Sequence, residues 1–380
     1  MIPYGRQDIS DKDIAAVLEV LQSDFLTQGP AVPRFEAAAK AQCNVDFAVA
    51  VNSATSALHI ACMALDLGPG DILWTVPNTF VASANVGIYC GADVDFVDID
   101  PDTYCMSVSA LEEKLTQAER DGKLPKVLIP VHFAGQSCDM RAIAALAGKY
   151  DIRIIEDASH AIGASYLGQP VGDCAYSDIC VFSFHPVKII TTAEGGLATT
   201  KDPKLASRME LHRSHGVTRD PAMMDQASEG GWYYQMVDLG YNYRMTEMQA
   251  ALGVTQFERL SEFVDRRNAL ALSYDRKLAD LPVTCPVQNP DSRSAFHLYP
   301  ILVDNRAEVF ARLRENGIGV NVHYIPVHTQ PFWRARGFAP GDFPQSEAYY
   351  ARAISIPLYF GLTEEAQDQV VAEIARAVGQ

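Results

Sequence analysis

The sequence predicts an α/β protein, with a large domain on a mostly parallel central sheet and a smaller C-terminal α+β domain. Two observations carry this. Short, near-continuous apolar runs recur through the first half of the chain, the pattern of strands buried on both faces. Helical segments separate most of them, and such alternation builds parallel sheets with helices on either side.

The elements follow in order. An extended arm, MIPYGRQDIS, leads into a helix with Ser10 or Asp11 as cap and Ile14, Val17, Leu18 and Leu21 on one face. The loop SDFLTQGPAVP precedes a helix from about Arg34 to Gln42. Six runs read as strands: FAVAV (47–51), ILWTV (72–76), VDFVDI (94–99), VLIPVHF (127–133), IRIIED (152–157) and DICVFSF (178–184). Helices are expected at 54–66, 79–90, 107–119 and 139–149. After Thr246 a long helical pattern reads as one bent helix or two. Beyond about Leu281 come HLYPILV (297–303), a helix at 306–316, the strand-like GVNVHY (319–324) and a final helix at 363–378. This change of pattern sets the boundary within 250–280. We assign 1–255 to the arm and large domain and 256–380 to the small domain.

Composition narrows the function. At 380 residues and 48% apolar, the chain has material for two domains, and its 21% of charged residues and lack of low-complexity tracts exclude disorder. A net charge of −16 argues against nucleic acid as a partner, because a phosphate backbone needs a basic patch. A single nucleotide-sized ligand is still allowed, since one helix N-terminus can hold one phosphate. Eight cysteines (43, 62, 90, 105, 138, 174, 180, 285) show neither metal spacing nor a disulfide framework, so no metal site is expected. The N-terminus lacks the basic flank and apolar run of a signal peptide, and no apolar window is long enough for a membrane span. A soluble, cytoplasmic protein is the expectation.

Four short segments carry possible chemistry. In FSFHPVKIITTAEGG (182–196), Lys188 stands among Pro186, Val187, Ile189 and Ile190. A desolvated amine of this kind forms Schiff bases, although a lysine after a strand is more often a solvated surface residue. In IRIIEDASHAIGA (152–164), Asp157 ends a buried strand, where open α/β sheets place ligand contacts; it would also suit the N-cap of a following helix. A pyridoxal ring needs such a carboxylate beside its ring nitrogen. His160 either orients that group or lines the ring, or is an ordinary satisfied histidine. In AVAVNSATSALHIA (48–61), small and hydroxylated residues open a helix, which suits either a phosphate or a simple cap. Phe80, after another strand end, either covers a flat ring or belongs to the core. No G-x-G-x-x-G follows the first strand, so a nicotinamide dehydrogenase has little support.

Taken together, FLTQGPAVPRFE, VNSATSALHIA, FSFHPVKIITTAEGG, RSHGVTRDP, WYYQMVDLGYNYRMTEMQAALG and VNVHYIPVH resemble the DegT/DnrJ/EryC1/StrS family of fold-type-I pyridoxal-phosphate sugar aminotransferases along essentially the whole chain. The resemblance implies that Lys188 is the Schiff-base lysine and proton carrier, that Asp157 pairs with the pyridine nitrogen, and that Phe80 covers the ring. It implies that Ala54, Thr55 and Ser183 hold the phosphate of pyridoxal 5'-phosphate, joined by Asn242 from a neighbouring subunit of a homodimer. The nucleotide-sugar side would involve Tyr4, the loop of Asp24, Phe25, Leu26 and Thr27, and the segment Asn321, Val322, His323 and Tyr324. In a sister branch that dehydrates sugars at C3 the lysine is replaced by histidine, so Lys188 implies transamination. The strings resemble most the branch that moves the amino group of L-glutamate to C4 of a UDP-linked 4-keto-6-deoxy-N-acetylhexosamine in pseudaminic acid biosynthesis. Amination at C3 or C4 of another nucleotide-linked keto-sugar is the alternative.

Overall fold

The computed structural model describes residues 1–379. Seven strands form the central sheet: β1 (Phe47–Val51), β2 (Ile72–Thr75), β3 (Asp93–Phe96), β4 (Val127–Ile129), β5 (Arg153–Asp157), β6 (Ile179–Ser183) and β7 (Gly196–Thr200). Their spatial order is β1-β7-β6-β5-β4-β2-β3. The sheet is parallel from β3 to β6, while β7 runs against both β6 and β1. The strands anticipated from apolar runs are present, but two end three or more residues early. Pro130 has no N–H to donate to a ladder, and β4 stops before it; Phe133–Gly135 then turns as a 3-10 helix. The run VDFVDI is recorded as strand only to Phe96. β7 was not expected, because GLATT lacks the bulky branched residues of its neighbours and follows a Gly-Gly pair that reads as a turn.

The helices α1 (Asp11–Leu21), α2 (Ala31–Cys43), α3 (Ala54–Ala64), α4 (Ala82–Tyr89), α5 (Val108–Asp121), α6 (Met140–Gly148) and α7 (Pro203–Arg213) cover the sheet. Ser10 caps α1 in a capping box whose other half is Asp13. The apolar stripe of α1 is turned outward: Ile14, Leu18 and Leu21 are all about half exposed. The buried side of α1 is Val20 and Asp13, whose carboxylate accepts hydrogen bonds from Thr255 and Gln256. Burial would push the Asp13 carboxyl up, but these bonds and those from Ser10 hold it below its ordinary value. α2 starts three residues earlier than expected because its cap comes from elsewhere. The Glu247 carboxylate accepts from Ala31 N at 2.6 Å and Val32 N at 3.2 Å. An anion there also complements the helix dipole.

The long helical pattern is two helices, α8 (Glu247–Glu258) and α9 (Leu260–Lys277), which meet at Arg259. The C-terminal part pairs β8 (Tyr299–Leu302) antiparallel with β9 (Ala353–Ile356), flanked by α10 (Arg306–Glu315) and the final helix Glu364–Ala377. Its core joins Tyr274 and Leu270 of α9 to Tyr299, Ile301, Leu313, Ile354 and Ile374. The segment 319–324 is not a strand. Only Asn321 bridges, to Ser355, and the rest turns toward the central sheet.

Candidate active site

The carboxyl ends of β1, β5 and β6 and the reversed start of β7 meet at one edge of the sheet, where open α/β folds place ligands. β1 leads through Asn52 to Ser53, the N-cap of α3, whose Oγ accepts from Ser56 N at 3.1 Å. The N–H groups of Ala54 and Thr55, in the first turn, have no carbonyl behind them. Gly196 lets β7 pass directly against this turn: a Cβ there would lie 2.3–2.5 Å from Ser53 C and O and Ala54 N. Gly196→Ala is therefore expected to displace the start of α3 at a cost of about 1–3 kcal/mol. A lower melting temperature together with weaker cofactor retention checks this; an unchanged holoprotein would contradict it.

Asp157 closes β5 and is almost wholly buried. It does not cap a helix, since residues 158–164 form turns. Its Oδ2 accepts from Ser83 Oγ at 2.7 Å and its Oδ1 from Ser159 N at 3.1 Å. Ser83 belongs to the first turn of α4, just after Phe80, so one segment presents both groups. Phe80 is not a core residue: 59% of it is exposed.

Lys188 follows β6 through a turn in which its N–H donates to His185 O at 2.9 Å. Its amine has no hydrogen-bond partner among the described residues. Burial pushes it down to about 8, against the opposing pull of the Asp157 carboxylate. Three imidazoles stand nearby, His160, His297 and His323. Burial first, and the Lys188 charge second, hold all of them below the ordinary histidine value, His323 at about 3.

These groups line one cavity of about 950 Å³. It brings together Tyr4, Ala54, Thr55, Phe80, Asp157, His160, Ser183, Lys188, Asn321, Val322, His323 and Tyr324. Asp24, Phe25, Leu26 and Thr27 lie outside it, on an exposed loop tied to α8 by the bond from Glu247 N to Leu26 O. Asn242 is also exposed, and only its carbonyl approaches the cavity rim, accepting from Asn52 Nδ2 at 3.4 Å. Ser83, Gln249, Glu194 and His297 line the cavity without having been singled out in the sequence. Ser83 was within reach of sequence reasoning, three positions after Phe80 on a helical turn. Gln249 was not, because its amide reaches Glu194 O at 2.8 Å across the fold.

The family model for the DegT/DnrJ/EryC1/StrS aminotransferases matches residues 7–375. The chain belongs to this family. This aminotransferase is 37% identical to the spore coat polysaccharide biosynthesis protein SpsC of Bacillus subtilis, over 98% of this chain and 96% of that protein. It is 34% identical to UDP-4-amino-4-deoxy-L-arabinose–oxoglutarate aminotransferase of Shewanella sediminis, over 100% of this chain and 98% of that one. Among solved structures, Spr1654 of Streptococcus pneumoniae, described as a sugar aminotransferase, superposes with a TM-score of 0.91 at 30% identity, covering 100% of this chain and 99% of that one. It is known in pyridoxal-phosphate and pyridoxamine-phosphate forms. Helicobacter pylori PseC, an aminotransferase of pseudaminic acid biosynthesis, superposes at 0.90 with 30% identity and 99% of each chain covered. The protein is thus a pyridoxal-phosphate-dependent nucleotide-sugar aminotransferase with a fold-type-I architecture. The cavity suits the cofactor: an open helix N-terminus beside hydroxyls for a phosphate, a buried carboxylate for a ring nitrogen, an exposed aromatic, and a lysine amine without a partner.

Proposed function

We propose that this enzyme moves the amino group of L-glutamate to C4 of UDP-2-acetamido-2,6-dideoxy-β-L-arabino-hexos-4-ulose. The product is UDP-4-amino-4,6-dideoxy-N-acetyl-β-L-altrosamine, in pseudaminic acid biosynthesis. Full-length similarity to PseC supports this substrate, and the observation that carries the chemistry is Lys188, depressed and unpartnered beside Asp157. Bound pyridoxal phosphate supplies the electron sink that makes a hydrogen next to its nitrogen acidic. Lys188 would hold the cofactor, and its neutral amine would carry the proton between carbon atoms. Asp157 keeps the ring nitrogen protonated, oriented by Ser83 and Ser159. Ala54, Thr55 and Ser183 receive the phosphate, and Phe80 covers the ring. Tyr4 and residues 321–324 face the sugar.

Asn242 and the loop 24–27 act on the neighbouring copy of a homodimer. Their exposure, and the outward apolar face of α1, support this. The division into 1–255 and 256–380 belongs to the same proposal, supported by the separate core around Tyr299 and Ile354. So does a cytoplasmic location: the described cysteines are free thiols, and no described helix is long and apolar enough to cross a membrane.

The higher identities to SpsC and the Shewanella enzyme favour a second substrate, another nucleotide-linked keto-sugar aminated at C3 or C4. The two are separated by incubating the holoenzyme with L-glutamate and the UDP-4-keto-sugar and solving the product by NMR. An amino group at C4 in the L-altro configuration is the expected outcome. A C3 amine, the C4 epimer or no turnover assigns the enzyme to the second substrate class.

A further inference from the structure

The three buried imidazoles of the cavity, His160, His297 and His323, are not equivalent. His160 Nδ1 accepts from Ala134 N at 3.3 Å, so its proton sits on Nε2 and goes to the Tyr324 oxygen at 3.0 Å. His323 Nε2 accepts from the Asn321 amide at 3.4 Å, and its Nδ1 donates to Ser355 Oγ at 2.9 Å. Both rings are therefore fully engaged by protein. His297 is not. It is 5% exposed, its ring lies 4.4 Å from that of His160, and its Nδ1 is buried without a partner. Its Nε2 likewise has no partner among the described residues and belongs to a ring that lines the cavity.

A buried, uncharged imidazole with an open nitrogen is costly unless something completes it. The fully buried guanidinium of Arg267 donates to the His297 carbonyl at 3.4 Å, and its positive charge helps keep the ring uncharged. With Nδ1 buried, Nε2 is the ring nitrogen left for a ligand in the cavity that also holds Lys188.

We propose that His297 is a substrate-contacting residue, donating from Nε2 to an oxygen of whichever substrate sits beside Lys188: the α-carboxylate of the amino donor in one half-reaction, and a sugar oxygen next to the reacting carbonyl in the other. This rests on the transamination described above. One pocket must accept an anionic amino acid and a sugar ring in turn. A fixed guanidinium in this place would lie buried and unpaired whenever the uncharged sugar ring was bound. A neutral N–H serves both oxygens without that penalty.

The test uses the pyridoxal-phosphate holoenzyme and the variants His297→Leu and His297→Gln, the latter returning an N–H at similar reach. Each half-reaction is followed separately through the cofactor absorbance, one with L-glutamate and the other with the UDP-4-keto-sugar. Binding of α-methyl-L-glutamate, which has no α-hydrogen to lose, is titrated alongside. His297→Leu is expected to keep cofactor and melting temperature, to slow both half-reactions by about 10- to 100-fold, and to weaken the analogue similarly. His297→Gln should recover most of each loss. Unchanged half-reactions in His297→Leu would overturn the proposal. So would a loss that follows melting temperature and is not restored by glutamine. If the wild type consumes L-glutamate but ignores this keto-sugar, the sugar assignment fails, and the glutamate arm alone decides for or against His297.

Discussion

Replacing Lys188 by alanine is expected to abolish transamination and the absorbance of the lysine-linked cofactor. With its amine at about 8, roughly a quarter of it is neutral at pH 7.5, against about a thousandth for an ordinary solvated lysine. In the proposed mechanism that neutral fraction is both the nucleophile that holds the cofactor and the base that moves the proton, so alanine would remove two functions at once. A fall in turnover of about 10⁴-fold or more follows. Lys188→Arg should be equally inactive, because a guanidinium stays charged at any working pH. Retained turnover in either variant would sink the assignment. The same value sets a pH dependence. Since only the neutral amine reacts, apoprotein should take up pyridoxal phosphate faster as pH rises through about 8, levelling above it, rather than near the ordinary lysine value.

Asp157→Asn should have the next largest effect. The substitution keeps the shape and leaves Ser83 Oγ at hydrogen-bond distance, but it removes the carboxylate charge that raises the Lys188 amine. An amide cannot hold a ring nitrogen protonated, so the electron sink weakens. Turnover is expected to drop by about 10²- to 10³-fold, with cofactor still bound but more readily lost. The uptake profile should also shift toward lower pH, because the charge that opposed desolvation of Lys188 is gone. A variant with near-wild-type turnover would remove Asp157 from the chemistry.

Much of this site was legible because it is local. Apolar runs located β1, β5 and β6, and the residues just after them fell at the sheet edge where ligands bind. What escaped was supplied across the fold. The cap of α2 is a carboxylate from Glu247, more than 200 positions away, so no pattern near Ala31 announces it. The stripe Ile14, Leu18 and Leu21 has a helical period whichever way it faces, so periodicity alone does not tell that it points outward. GVNVHY has strand-like composition, yet its backbone finds only one bridge, and Asn321, Val322, His323 and Tyr324 line the cavity instead. His297 lay inside a run read simply as a strand, and nothing in its neighbours marks a nitrogen left open.

The reversed strand β7 has a consequence for how the cofactor and the fold depend on each other. Ser183 pairs with Gly196 across a short local hairpin, whereas Val51 reaches the same glycine from about 150 positions earlier, a closure that costs entropy before it yields contacts. The turn at Ser53 and Ala54, proposed to receive the phosphate, lies on this second seam, and Lys188 on the first. A molecule joined to both holds a distant edge of the sheet to its centre. Loss of cofactor should therefore be felt first as fraying of β1 and α3, and free cofactor should raise the unfolding temperature in proportion to its occupancy.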